Sequence, residues 1–219
     1  MRVDQMAQKA AVHLTRELEL DPRKTDTLRY GLEIMLCTLI KAVSLFSLAY
    51  LLGIIPEVAF ALFFWFLYRP YSSGAHCEGY WSCLFFGLLV FLGCGELGLY
   101  LEGRVSQEVM GYLLPAGFLL STACALIWAP GPVPYQQEQE ISSRVKNKVI
   151  SIVILCFWLA VSLLAAANYS LSIAISGLIA VQIQTFSFTP PGYRTIHKLD
   201  QLFVSLFKRK EVSTNAADV

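Results

Sequence analysis

Six stretches of this chain are apolar over so many consecutive residues that water is the wrong solvent for them. They are Tyr30–Leu52, Pro56–Tyr68, Trp81–Leu101, Met110–Trp128, Val149–Ala167 and Ser170–Phe188. A helix needs about 20 apolar residues to cross a bilayer. Five of the six approach or exceed that length. Pro56–Tyr68 is short, and it crosses only if its helix continues toward Ser72; otherwise it reads as re-entrant. The expected fold is an all-α integral membrane protein, a polytopic bundle of about six transmembrane helices with amphipathic helices at both ends. The charge content agrees: 15% of residues are charged, against about a quarter in soluble domains.

Between and beyond these runs the chain is polar. In Met1–Leu20 the apolar residues Val3, Met6, Ala10, Leu14 and Leu18 share one helical side, which suits a helix lying on a membrane surface or packed on the protein. It lacks an apolar core with a small-residue cleavage site, so no signal peptide is expected. Asp21-Pro22 stops it. The chain then divides into an interfacial segment 1–29, a membrane domain 30–192 containing a polar segment 69–83 and a long loop 129–148, and a basic amphipathic tail 193–219. Lys and Arg concentrate before Tyr30, between Arg144 and Lys148, and after Tyr193. Basic residues stay in the cytoplasm, so both termini and the 69–83 segment are expected there. A net charge of +1 supplies no basic field for nucleic acid.

Inside the runs a few polar groups stand out. Lys41 is deep in the first, so it should face protein, with Glu33 on a similar helical face bridged through a third group. Gln182 and Gln184 read as interhelical hydrogen bonders, and Gly93, Gly95 and Gly98 as close-packing positions. Of six cysteines, Cys37, Cys94, Cys124 and Cys156 fall within apolar runs and read as small core residues.

The polar segment runs Arg69-Pro-Tyr-Ser-Ser-Gly-Ala-His-Cys-Glu-Gly-Tyr-Trp-Ser-Cys83. Ionisable groups beside hydrocarbon are expensive and read as functional by default. It pairs an imidazole, His76, with a thiol, Cys83. A cysteine attacks as thiolate. Imidazole can take its proton, and Cys83 would lie in the first turn of a span, where the helix dipole favours a thiolate and free N–H groups suit an oxyanion. If 76–83 is helical, the two share a face; if not, Gly74 and Gly79 let the backbone fold His76 back. We therefore take His76 as base and Cys83 as nucleophile. Arg69 suits a substrate carboxylate or anchors the membrane boundary. Gly74 serves the turn, and Ser72 or Ser73 is placed to orient the imidazole. Cys77 reads as a bystander, Glu78 is close in sequence for an easy contact, and His13 and His197 read as surface residues. A metal set would need a fourth ligand and different spacing, so no metal and no cofactor is expected. The competing reading is a non-enzymatic peptide exporter or channel whose pathway is marked by Lys41, Glu33 and the two glutamines.

Arg69-x-Tyr71-Ser72-x-Gly74-Ala75-His76 with Cys83 resembles the motif of the accessory gene regulator protein B (AgrB) family. Gly31-Leu32-Glu33, Ala129-Pro130 and Thr189-Pro-x-Gly192 are similar too. The resemblance implies a homodimeric bacterial cell-membrane peptidase. Such an enzyme cuts the C-terminal tail from an AgrD-like propeptide and makes a cyclic thiolactone for quorum sensing. It carries function onto Arg69, Gly74, His76 and Cys83. Pro70, Cys77, and Ser73 where many members have Gly, depart from the pattern. So does the continuation of the long loop, which puts the identity of the substrate in question.

Overall fold

The computed structural model describes residues 3–17, 25–77, 79–131 and 141–215. Among these there are eight helices and no strand. They are α1 (Val3–Glu17), α2 (Thr25–Leu52), α3 (Ile55–Ser72), α4 (Tyr80–Glu102), α5 (Gln107–Trp128), α6 (Ile141–Asn168), α7 (Leu171–Ser187) and α8 (Pro190–Asn215). The chain is an all-α membrane protein. It forms two compact units, Met1–Leu48 and Ala49–Val219.

In the first unit, α1 buries Ala7 and Ala11 completely and leaves Met6 exposed. The buried stripe is thus the small-residue one, four apart on one face; of the apolar residues expected on the inner side, Met6 lies toward the surface and Ala10 and Leu14 are half-buried. Thr15 donates to the Ala11 carbonyl at 2.8 Å and accepts from Thr25 at 3.3 Å. Glu33 lies 3.9 Å from Arg29, one turn earlier in α2. Cys37, one turn from both Glu33 and Lys41, is within electrostatic reach of each.

The second unit is built around α7, which packs against α3, α4, α5, α6 and α8. Small side chains make this possible: Ser172, Ala174, Ser176, Gly177 and Ala180 are all buried along it. A side chain at Gly98 would sit 2.6 Å from the Ser172 carbonyl, and one at Gly95 would sit 2.9 Å from Ile54. Both glycines are therefore used for close helix approach inside one chain, whereas Gly93 faces open space. The core gathers Phe64, Tyr68, Met110, Leu114, Leu155, Trp158, Val181 and Phe188. Glutamine partners follow the expectation for Gln182, which donates to the Gly117 carbonyl and the Ser121 hydroxyl, each at 3.1 Å.

Among the described residues, four helices are long and apolar enough to cross a membrane: α2, α4, α5 and α6 from Ser142. The pair α7–α8, bent by 92°, makes a fifth if it counts as one broken span. The expected six exceeds this because α3 has only 18 residues with Glu57 and Arg69 among them, and α7 has 17. α7 is wrapped by other helices and needs no lipid-facing apolar surface of full length, while α3 keeps Phe63 and Phe66 exposed on one side. The stretch expected as a loop to 148 is helical from Ile141; residues 132–140 lie outside the described residues.

Candidate active site

The polar segment lies where α3 ends, α4 begins and α7 gives way to α8. Pro70 sits in the last turn of α3, and the Ser73 amide closes that turn by donating to the Arg69 carbonyl at 2.8 Å. The backbone then turns through two positive φ values, 60° at Ser73 and 139° at Gly74. Gly74 has a second constraint. A side chain there would run into the Ser187 hydroxyl, so the loop lies directly on the end of α7.

Two polar side chains and one backbone bond hold the loop. The Arg69 guanidinium donates through Nη1 to Gln184 Oε1 at 2.9 Å and through Nη2 to the Ala75 carbonyl at 2.7 Å. The Ala75 amide donates to the Ser187 carbonyl at 3.0 Å. Gln184 Nε2 donates to Ser72 Oγ at 3.0 Å and to the Ser73 carbonyl at 2.8 Å. Each hydrogen of the Gln184 amide is thus used, and the side chain is fully buried. The Ala75 residue is held at both its carbonyl and its amide, which sets the direction in which the chain enters His76.

Past Ala75 the chain is non-helical through Cys77. With His76 and Cys77 non-helical and α4 beginning only at Tyr80, the two-turn helical version of the 76–83 spacing does not occur. Gly79 is extended (φ −88°, ψ 143°) and caps α4. The Cys83 amide makes the first bond of that helix, to the Gly79 carbonyl at 3.0 Å, and Ser82 Oγ donates to the same carbonyl at 3.0 Å. Cys83 therefore sits in the first turn of α4, where unpaired N–H groups and the positive dipole end gather. His76 is exposed and Cys83 half-buried. Cys83, Cys77 and Tyr193 all lie within electrostatic reach of the Arg69 guanidinium, which also stands over the Trp65 ring at 5.5 Å. The Cys77 thiol is pushed up to about 11 by burial first, then by Asp200 and Cys83.

Sequence reasoning reached Arg69, Ser72, Ser73, Gly74, His76 and Cys83. The structure joins the first four through α7: Ser72 is buried and donates to the Tyr68 carbonyl at 3.0 Å, and Ser73 offers its carbonyl. The two serines are thus occupied with the loop's frame. Arg69 is likewise occupied as a clamp. Glu78 lies outside the described residues. His197 is exposed on α8 and pairs with Gln201 at 2.9 Å. What sequence reasoning missed are Ser187, Tyr193 and Asp200. Ser187 carries no signal in an apolar run. Asp200 does: it is the sole acid between Pro190 and Lys210, a stretch that carries Arg194, Lys198, Lys208, Arg209 and Lys210.

Beside this end of the unit, Ala129–Gly131 leaves α5 and returns to α3, the Gly131 amide donating to the Ser72 carbonyl at 3.1 Å. A cleft of about 210 Å³ opens there, lined by Trp128, Pro130, Arg144, Val145 and Lys148 among others. Lys148 Nζ donates to the Leu126 carbonyl at 2.6 Å, and Arg144 is exposed.

Comparison with known proteins places these features in context. Residues 7–188 match the family described as accessory gene regulator B. A putative AgrB-like protein of Clostridium beijerinckii is 28% identical over 138 residues, which cover 62% of this chain and 65% of that protein. The accessory gene regulator protein B of Staphylococcus haemolyticus (strain JCSC1435) is 24% identical over 190 residues, covering 86% of this chain and 94% of that protein. No solved structure matches.

Proposed function

Because the chain belongs to the accessory gene regulator B family, we propose that it is a membrane-embedded cysteine endopeptidase of a bacterial quorum-sensing system. It removes the C-terminal tail of an AgrD-like propeptide and closes the remainder into a thiolactone. It works as a homodimer in the lipid of the cell membrane, with both termini and the catalytic residues on the cytoplasmic side. No metal or cofactor takes part in this scheme. What supports the reading is the frame just described: Arg69, Gln184 and Ser187 hold Ala75, the residue before His76, while Cys83 occupies the first turn of α4.

His76 takes the Cys83 proton, and the sulfur attacks the propeptide carbonyl at the cleavage site. The first-turn amides of α4, which lack partners within the helix itself, suit the developing oxyanion. The C–N bond breaks, and His76 returns its proton to the leaving amine. The tail departs, leaving a thioester on Cys83. A cysteine thiol within the propeptide then attacks that thioester and gives up its proton. Cys83 leaves as thiolate and is reprotonated through His76. The second exchange trades one thioester for another. The uphill step is amide to thioester, and removal of the released tail draws it forward. Exclusion of water by the surrounding apolar helices protects the intermediate from hydrolysis.

The guanidinium of Arg69 is committed to the loop, so an acidic tail finds its charge partners at Arg144 and Lys148, beside the cleft. The test is mass spectrometry of purified protein in liposomes with a propeptide encoded beside its gene. Tail release and an adduct on Cys83, both absent in Cys83→Ala, are the expected result. Tail release that persists in Cys83→Ala removes the cysteine mechanism.

A further inference from the structure

Helix α8 begins after residue 188, the last residue matched to the family, so its contribution is read from this chain alone. Thr189 starts it. Its hydroxyl accepts from the Gly192 amide at 3.2 Å, and Pro190 and Pro191 fill positions whose amides need no helical partner. The 92° bend from α7 sends α8 back along the polar segment and α4. Near its start Tyr193 reaches the neighbourhood of Arg69. Three turns on, the Phe203 ring packs 5.4 Å from Phe85 and 5.8 Å from Phe86, within the first turns of α4 just past Cys83.

Asp200 is one turn before Phe203 on the same face, which aims it at the residues that precede Phe85, the 76–83 segment. It is 4% exposed, while Arg194 and Lys198 on the same helix are exposed. Its charge is felt at Cys77, the neighbour of His76, and helps hold that thiol up after burial itself. A buried carboxylate is costly unless a cation or donor meets it. A Cys–His pair works best when a third group orients the imidazole and stabilises its charged form.

We propose that Asp200 is the positioning residue of this site, holding the His76 imidazole toward Cys83 and stabilising the imidazolium formed when the thiol gives up its proton. This rests on the peptidase reading above. The titratable group that feels Asp200 is Cys77, which Cys83 and Arg69 also reach; Tyr193 of α8 lies near Arg69 in turn, and His76 is the chain neighbour of Cys77.

The experiment needs no propeptide. The rate of Cys83 alkylation by iodoacetamide is followed by peptide mass spectrometry against pH, in liposomes. The proteins are wild type, His76→Ala, Asp200→Asn, Asp200→Glu and the double variant His76→Ala/Asp200→Asn. If Asp200 acts through His76, Asp200→Asn slows neutral-pH alkylation at least about tenfold and moves the rise of the profile to higher pH. Asp200→Glu restores part of the rate, and Asp200→Asn has no further effect once His76 is gone. If Asp200 is only a nearby negative charge, Asp200→Asn speeds alkylation instead, because a neighbouring charge that opposed the thiolate is removed. That result overturns the proposal, as does an equal effect with and without His76. A rate insensitive to His76→Ala overturns the dyad itself, which separates the two failures. Loss of Cys83 reactivity from misfolding is recognised by a lowered melting temperature. The Asp200→Glu variant, which keeps the charge, then decides the matter: recovery of rate and profile sustains the proposal, and failure to recover in a folded protein ends it.

Discussion

Arg69 and Gln184, 115 residues apart in the chain, meet through a 2.9 Å hydrogen bond at the base of the loop that carries His76. Through its other nitrogen, the same guanidinium holds the Ala75 carbonyl at 2.7 Å. One planar group thus ties the end of α3, the end of α7 and the residue before His76 together.

A flat two-pronged donor is required there, and a lysine offers only a point charge. Arg69→Lys is expected to leave the protein folded and to lower tail release at least about tenfold. Arg69→Ala should weaken processing more than Lys148→Ala does. Rates measured in proteoliposomes check both orders; a wild-type rate for Arg69→Lys would show that the fork is dispensable.

Gln184→Leu removes the partner of Arg69, Ser72 and Ser73 together and strands buried polar groups, which costs about 1–3 kcal/mol for each group left unsatisfied. The expected outcome is a clear fall in melting temperature and loss of tail release. Gln184→Glu keeps the acceptor for Arg69 but loses both donations, so it should retain the Arg69 contact and still impair the loop. An unchanged melting temperature for Gln184→Leu would remove the amide from the frame.

Ser73 holds a φ of 60°, a region that costs a non-glycine residue about 1–3 kcal/mol. Ser73→Gly should stabilise the protein by roughly 1 kcal/mol, the relief of that strain less the added freedom of the unfolded chain. Gly74→Ala should destabilise, since it meets both a φ of 139° and the Ser187 hydroxyl. Adding Ser187→Ala makes room and should restore part of the loss. Thermal unfolding in one detergent orders the four proteins; if Ser73→Gly melts lower than wild type, the strain argument fails.

The Cys77 thiol, raised to about 11 by burial, Asp200 and Cys83, stays protonated at neutral pH. Because the shift is upward, the thiolate fraction grows only as pH climbs toward that value. Alkylation of Cys77 should therefore be slow at pH 7 and still be rising at pH 10. A plateau near pH 8 would contradict this.

Arg144 is exposed at the cleft, so Arg144→Glu tests tail recognition with little cost in stability. The expectation is a higher KM for an acidic-tailed propeptide with kcat nearly kept, and a weaker dependence on salt. An equal fall in kcat would place Arg144 in the chemistry instead.

Much of this protein is legible in one dimension. The long apolar runs demand helices in lipid, because backbone groups there must bond within their own segment. The placing of Cys83 at the start of a helix follows from neighbours a few residues away. Thr189-Pro-Pro-Gly192 announces a break for the same reason: its causes are local. Tertiary structure alone decided the rest. Gln184 was readable as a hydrogen bonder, yet its partners lie 111 to 115 residues away, and no local spacing names them. Gly95 and Gly98 read from the sequence as close-packing positions, but that α7 and the start of α3 are what lie against them is decided by the fold. The direction of α8 after its bend brings Asp200 to the 76–83 segment, and that direction is set by Phe203 against Phe85 and Phe86. Short-range sterics and solvent choose the elements; which polar groups meet is chosen by how those elements pack, and packing joins residues that the sequence keeps far apart.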